Sequence, residues 1–83
     1  MGSDYRRAME GANYAVRMVQ KGIGFVPVGP STSKLGQTMV WFPIVAGRLA
    51  LAFENCRVSI DRNACTVRID GETIHATVEV WGK

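Results

Sequence analysis

Apolar residues recur at three- and four-residue spacing through the first quarter of the chain: Tyr5, Ala8, Met9, Ala12, Val16 and Val19. That spacing lines them up along one side of a helix, while Arg6, Arg7, Glu10, Asn13, Arg17 and Lys21 fall mostly on the other. The pattern predicts a helix over about 4–21, capped at its start by Ser3 or Asp4 and ended by Gly22 in a left-handed conformation. Gly11 costs about 1 kcal/mol in a helix interior. With Ala8, Ala12 and Ala15 it leaves a shallow surface suited to close packing on a sheet.

Residues 23–28 read as a short strand, confined by Pro27 to an edge or an end. A loop over 29–37 follows and is expected to be the most mobile segment. Beyond it the pattern changes to alternation. Turn signals at Ala46-Gly47, Glu54-Asn55, Arg62-Asn63 and Asp70-Gly71 recur every eight residues, with strands between them. As two-residue hairpins they place Val45 opposite Arg48, Phe53 opposite Cys56, Asp61 opposite Ala64 and Ile69 opposite Glu72. One face then collects Phe42, Ile44, Leu49, Leu51, Val58, Ile60, Cys65, Val67, Ile74 and Ala76. The other carries Trp41, Pro43, Val45, Arg48, Ala50, Ala52, Arg57, Ser59, Asp61, Thr66, Arg68, Thr73, His75, Thr77 and Glu79. The expected fold is therefore α+β. An N-terminal helix (about 4–21) packs on one face of a five- to six-stranded antiparallel meander (about 38–81), with 23–28 as an extra edge strand. A curled, partly closed sheet is the structural alternative. In this register Val78, Glu79, Val80 and Trp81 overhang the preceding strand, so 23–28 must cover them or they form an open edge.

Composition narrows the function classes. Eighty-three residues make a single domain, 1–83, with a thin core. Apolar residues are 47% of the chain and charged residues 20%, which excludes a disordered chain and an acidic tail. Lys+Arg 10 against Asp+Glu 7 gives +3, which permits an anionic partner without demanding one. No apolar run reaches the roughly 18 residues of a membrane span. No export signal is read at the start, so a reduced, cytoplasmic setting and no membrane partner are expected. Cys56 and Cys65 are too few for a disulfide scaffold, and with His75 alone they do not make a zinc site. In the expected register they lie about 13 Å apart and serve as small buried apolar residues. No metal and no cofactor are expected.

Candidate chemistry is sparse. Ser59, Thr66 and His75 share a face, but a flat open face does not exclude water, so the chain is not expected to be an enzyme. Asp61 and Asp70 sit at separate turns, too far apart for paired-carboxylate chemistry. The stretch from Gly29 to Lys34 lacks the glycine before and the Ser/Thr after the lysine that a phosphate loop needs. Arg48, Arg57 and Arg68, with His75 and Trp41, make the uncovered face a candidate nucleic-acid surface, partly neutralised if Arg48 pairs with Asp61. Trp41, Pro43, Val45, Ala50 and Ala52 add an apolar corner of the kind that marks a protein contact.

The run from Ala8 to Val28, with Ala8, Ala12 and Ala15 on a helix, then Lys21-Gly22 and Phe25-Val26-Pro27-Val28, resembles short uncharacterised early-region proteins of tailed bacteriophages and prophages. The resemblance covers about a quarter of the chain. It implies a phage or mobile-element origin and a small non-enzymatic protein that binds a host complex in the host cytoplasm. Inhibitors of bacterial defence, anti-CRISPR proteins included, are similar in size and in lacking catalytic motifs. The expected function is thus a protein-binding inhibitor or modulator, with Trp41, Val45, Ala52, Arg57, Arg68, His75 and Trp81 at the contact. Self-association as a homodimer would use the uncovered face or the overhanging strand. Nucleic-acid binding by the same face is the alternative.

Overall fold

The computed structural model describes residues 2–29 and 35–81. The order of elements is α1 (Gly2–Gln20), β1 (Phe25–Val28), α2 (Leu35–Ala52), β2 (Arg57–Asp61), β3 (Thr66–Asp70) and β4 (His75–Val80). The four strands form one mixed sheet in the order β1-β4-β3-β2. β2, β3 and β4 pair antiparallel, and β1 lies parallel to β4. The α+β class stands as expected; the five- to six-stranded meander does not.

α1 forms where the apolar spacing places it. Ala8, Ala12, Val16 and Val19 are buried as expected, and Ala15 with them, but Tyr5 is exposed and Met9 only half-buried; Arg6, Arg7, Glu10 and Arg17 are exposed. It starts at Gly2, so Ser3 and Asp4 lie inside the helix rather than at its cap. Gly22 ends it with φ +93°. The Gly22 N–H donates to the Val19 carbonyl and the Ile23 N–H to that of Met18, which satisfies two carbonyls a helix end would leave bare. The small-residue surface of α1 meets chiefly α2 rather than the sheet, and the Trp41 indole lies against Gly11.

The largest correction is α2. Residues expected as two strands around an Ala46-Gly47 turn form one helix, and Gly47 lies within it. Trp41, Phe42, Val45, Ala46, Leu49 and Phe53 are buried, at the spacing of one helical face. Leu51, expected on the core face of a strand, points away from it and is 73% exposed. The loop expected over 29–37 is helical from Leu35; its residues 30–34 lie outside the described residues.

The strand pairings also shift. Asp61 lies opposite Thr66 rather than Ala64, and Asp70 opposite His75, which moves Ile69 from Glu72 to Ala76. The first hairpin is a four-residue connection in which the Asp61 carboxylate accepts from the N–H groups of Asn63 and Ala64, at 3.0 and 3.1 Å, and Cys65 takes φ 55°. In the second, the reversal centres on Glu72 and Thr73, closed by the Gly71 N–H donating to the Ile74 carbonyl. Gly71 has no positive φ; it is small because the Cys56 sulfur sits over it. These slips are even-numbered, so every side chain keeps its expected face although its partner changes. The overhang disappears: the Val80 N–H bonds the Cys65 carbonyl, and β1 covers the other edge of β4 with Val26 beside Val78 and Val28 beside Val80. Pro27 sits on that outer edge, as expected for a residue that cannot donate.

Both helices lie on one face of the sheet. Val26, Val28, Val67, Ile69, Ala76, Val78 and Val80 point into a core shared with Ala12, Val19, Val45 and Leu49.

Candidate interaction face

The opposite face of the sheet carries no helix. Strand alternation puts Phe25 and Pro27 of β1, His75, Thr77 and Glu79 of β4, Thr66, Arg68 and Asp70 of β3, and Arg57, Ser59 and Asp61 of β2 on it. The pairings arrange them in rows. Phe25, Thr77, Arg68 and Ser59 form one; His75, Asp70 and Arg57 a second; Pro27, Glu79, Thr66 and Asp61 a third. Trp81 follows β4 on the same face, 55% exposed, held by its N–H bond to the Val28 carbonyl at 2.6 Å. Phe25 is 53% exposed. The β1 side of the face is therefore aromatic and apolar, and its middle is charged.

Arg57, Arg68 and His75 are brought together on this face as expected, with Trp81 at its edge. Trp41 and Val45 are not: both are buried between α2 and α1 or the sheet, where a helix replaced the expected strand. Ala52 also leaves the face; it is half-buried on α2 against the core. Arg48 sits on α2 and donates from Nε to Asn13 Oδ1 of α1 at 3.1 Å, so the expected Arg48–Asp61 pair does not form. Pro43 and Ala50 go with α2 as well. Three residues of the face went unassigned in the sequence. Phe25 and Pro27 lie in a segment too short for its facing to be read, and Asp70 belongs to β3 rather than to a turn.

Asp70 organises the charged centre. Arg68 Nε lies 3.1 Å from its Oδ2 and His75 Nδ1 3.1 Å from its Oδ1. The Arg68 hydrogen bond, then that of His75, holds the Asp70 carboxyl below the usual carboxylate range, and Asp70 raises Arg68 in turn. A lowered carboxyl contributes stability that is fully present above the unfolded-state pKa and is lost as pH falls through the folded value. In a carboxyl-carbon NMR titration, Asp70 is expected to titrate below a free aspartate, and Arg68→Gln to return it most of the way. An ordinary midpoint in the native protein would show that the cluster is not formed in solution.

The cysteines are free and half-buried against the core, Cys56 at the open end of the β2–β3 hairpin and Cys65 at its turn. The shifted register separates them by six residues along β3, about 20 Å, so they do not approach disulfide range. Among the described residues no three His, Cys, Asp or Glu side chains are grouped to hold a metal, and no helix is long and apolar enough to cross a membrane. Lys34 lies outside the described residues. Comparisons with protein-family models, curated proteins and solved structures find no match.

Proposed function

We propose that the chain is a non-catalytic protein-binding module whose helix-free sheet face is its contact surface. The observation that carries this reading is the pairing of two half-exposed aromatic residues, Phe25 and Trp81, with an ordered charged centre on a face neither helix covers. Aromatic and arginine side chains contribute most to protein contacts when desolvated. The strands beneath hold them in fixed positions, so little ordering cost falls on binding.

Charge balance favours a protein over a nucleic acid at this face. Arg57 and Arg68 are matched there by Asp61, Asp70 and Glu79, and Asp70 already holds Arg68. The basic excess sits instead on and just after α1, where Arg6, Arg7, Arg17 and Lys21 are exposed beside Glu10. The residues that resemble phage proteins form α1, its cap and β1; of these only Phe25 and Pro27 lie on the proposed contact. The reading as an inhibitor of a host machine is the form of this proposal that the resemblance supports.

Affinity capture from bacterial lysate, with wild type against Arg68→Glu and against the Phe25→Ala/Trp81→Ala double variant, tests the proposal. Partner capture is expected to fall by about tenfold or more in each, with the fold retained by circular dichroism, since an exposed ion pair contributes little to stability. Capture that survives both variants would move the contact off this face. Titration of labelled DNA and RNA at two salt concentrations is expected to show no tight binding; steeply salt-dependent binding would favour the nucleic-acid alternative.

A further inference from the structure

β2 is the end strand of the sheet, and among the described residues no strand pairs with its outer edge. Its free backbone groups can be assigned. Across β3 and β4, the Val80 N–H donates to the Cys65 carbonyl at 2.9 Å and the Gly71 N–H to the Ile74 carbonyl at 2.7 Å. Both fall on the observed register, so the odd-numbered residues of β3 turn their backbone groups toward β4. Bonding direction alternates along a strand, so Thr66, Arg68 and Asp70 turn theirs toward Asp61, Ser59 and Arg57. Val58 and Ile60 are left with N–H and C=O groups aimed at the open edge.

The sequence of β2, Arg57-Val58-Ser59-Ile60-Asp61, is self-complementary when laid antiparallel on itself. Centred on Ser59, Val58 of one copy meets Ile60 of the other, and these are the residues with free backbone groups. Arg57 meets Asp61 at both ends, in the non-bonded positions where opposed side chains come closest. Registers centred on Val58 or Ile60 also match the backbone groups, but each sets a charged residue opposite Ser59. Ile60 supplies a second motive: strand alternation puts it on the helix side, yet 46% of it is exposed. Asp70, the carboxylate beside Arg57 within the sheet, is occupied by Arg68 and His75.

We propose that a second copy of this chain pairs along β2, through a two-fold axis at Ser59 that is normal to the sheet. Four backbone hydrogen bonds join Val58 and Ile60 across the seam, and two Arg57–Asp61 pairs flank it. The result is an eight-stranded sheet with all helices on one side and the two helix-free faces joined into one. An isologous edge-to-edge contact closes on itself and leaves no further β2 edge. Its small area makes it a weak, reversible contact. The inference does not rest on the proposed partner, because it concerns the purified chain alone.

Sedimentation over a concentration series, with the protein at low salt, tests it. The mass is expected to rise from one 9.1 kDa chain toward two. Ile60→Lys places a charge into the seam, and Arg57→Glu sets carboxylate against carboxylate at both ends; each is expected to weaken the dimer about tenfold or more. Asp61→Lys is expected to fail alone as well. Mixed one to one, Arg57→Glu and Asp61→Lys are expected to form a heterodimer with affinity near that of wild type, because each end then pairs opposite charges. Should Asp61→Lys lose its turn and fail to fold by circular dichroism, the Ile60→Lys result decides. A wild-type mass that stays at one chain up to millimolar concentration overturns the proposal, and so does an Ile60→Lys variant that dimerises as well as wild type. Trp81→Ala is expected to leave the dimer intact, which separates a failure here from a failure of the partner-binding face.

Discussion

Trp41→Ala is expected to destabilise the fold by about 4 kcal/mol, the usual scale for removing a buried large aromatic side chain. A chain of this length has roughly 4–12 kcal/mol to lose, so the variant should give up between about a third and all of its stability. The reason is positional. Trp41 is buried on α2, and its ring edge comes within contact distance of the Cα side of Gly11 on α1, so it fills the seam between the two helices. Truncation leaves a void between the two helices that the surrounding structure closes only in part. Leu51→Ala is the matched control. Leu51 lies on the same helix but is largely exposed, and its loss is expected to cost less than about 0.5 kcal/mol. Urea unfolding at equal slope measures both. A Trp41→Ala protein with an unchanged midpoint would mean that residue 41 lies on a surface, as a strand over 38–45 would place it.

The second large effect is expected at Gly29, where alanine should cost about 3 kcal/mol. Two independent obstacles meet there. The residue has φ +143°, a conformation that side chains oppose. A Cβ would also run into the backbone of Trp81, which is held close by its N–H bond to the Val28 carbonyl. Relief would require parting β1 from the end of β4. Each kcal/mol corresponds to roughly 4–8 °C of thermal midpoint at this size. Gly22→Ala separates the two causes, because Gly22 also has positive φ but open space around it. Conformation alone should cost it about 1–2 kcal/mol. Equal losses at the two glycines would remove the close approach of Trp81 from the explanation.

How much of this was legible in the sequence depends on how one-sided each segment is. α1 has one apolar and one charged face, so only the helical period fits it; its span and glycine cap were readable to within a residue or two, and of its expected apolar face only Tyr5 turns out exposed and Met9 half-buried. α2 is apolar nearly all round. Trp41, Val45, Leu49 and Phe53 do recur at helical spacing, but Phe42, Ile44, Leu49 and Leu51 fit strand alternation equally well. The eight-residue recurrence of turn signals, Ala46-Gly47 among them, tipped the reading toward strands, and proline inside a helix removes a hydrogen bond. The structure sets Pro43 on the exposed side of α2, where water can take the carbonyl left without its donor. Misreading α2 moved Trp41, Val45 and Ala52 onto a surface they do not occupy. The hairpins were misregistered for a different reason. Asp61 closes its turn through side-chain bonds that no dipeptide signal reports, and Gly71 answers to the sulfur of Cys56 rather than to a turn. Because both slips are even, Arg57, Arg68 and His75 stayed on the correct side.

The parallel join between β1 and β4 ties the beginning of the sheet to its end. Phe25 is matched with Thr77, and everything between them must be made before that match exists. On a ribosome the inner face of β1 stays wet until β4 emerges. Closure of this sheet is therefore gated by synthesis of β4, and a chain stopped short of residue 75 would leave β1 without a neighbour.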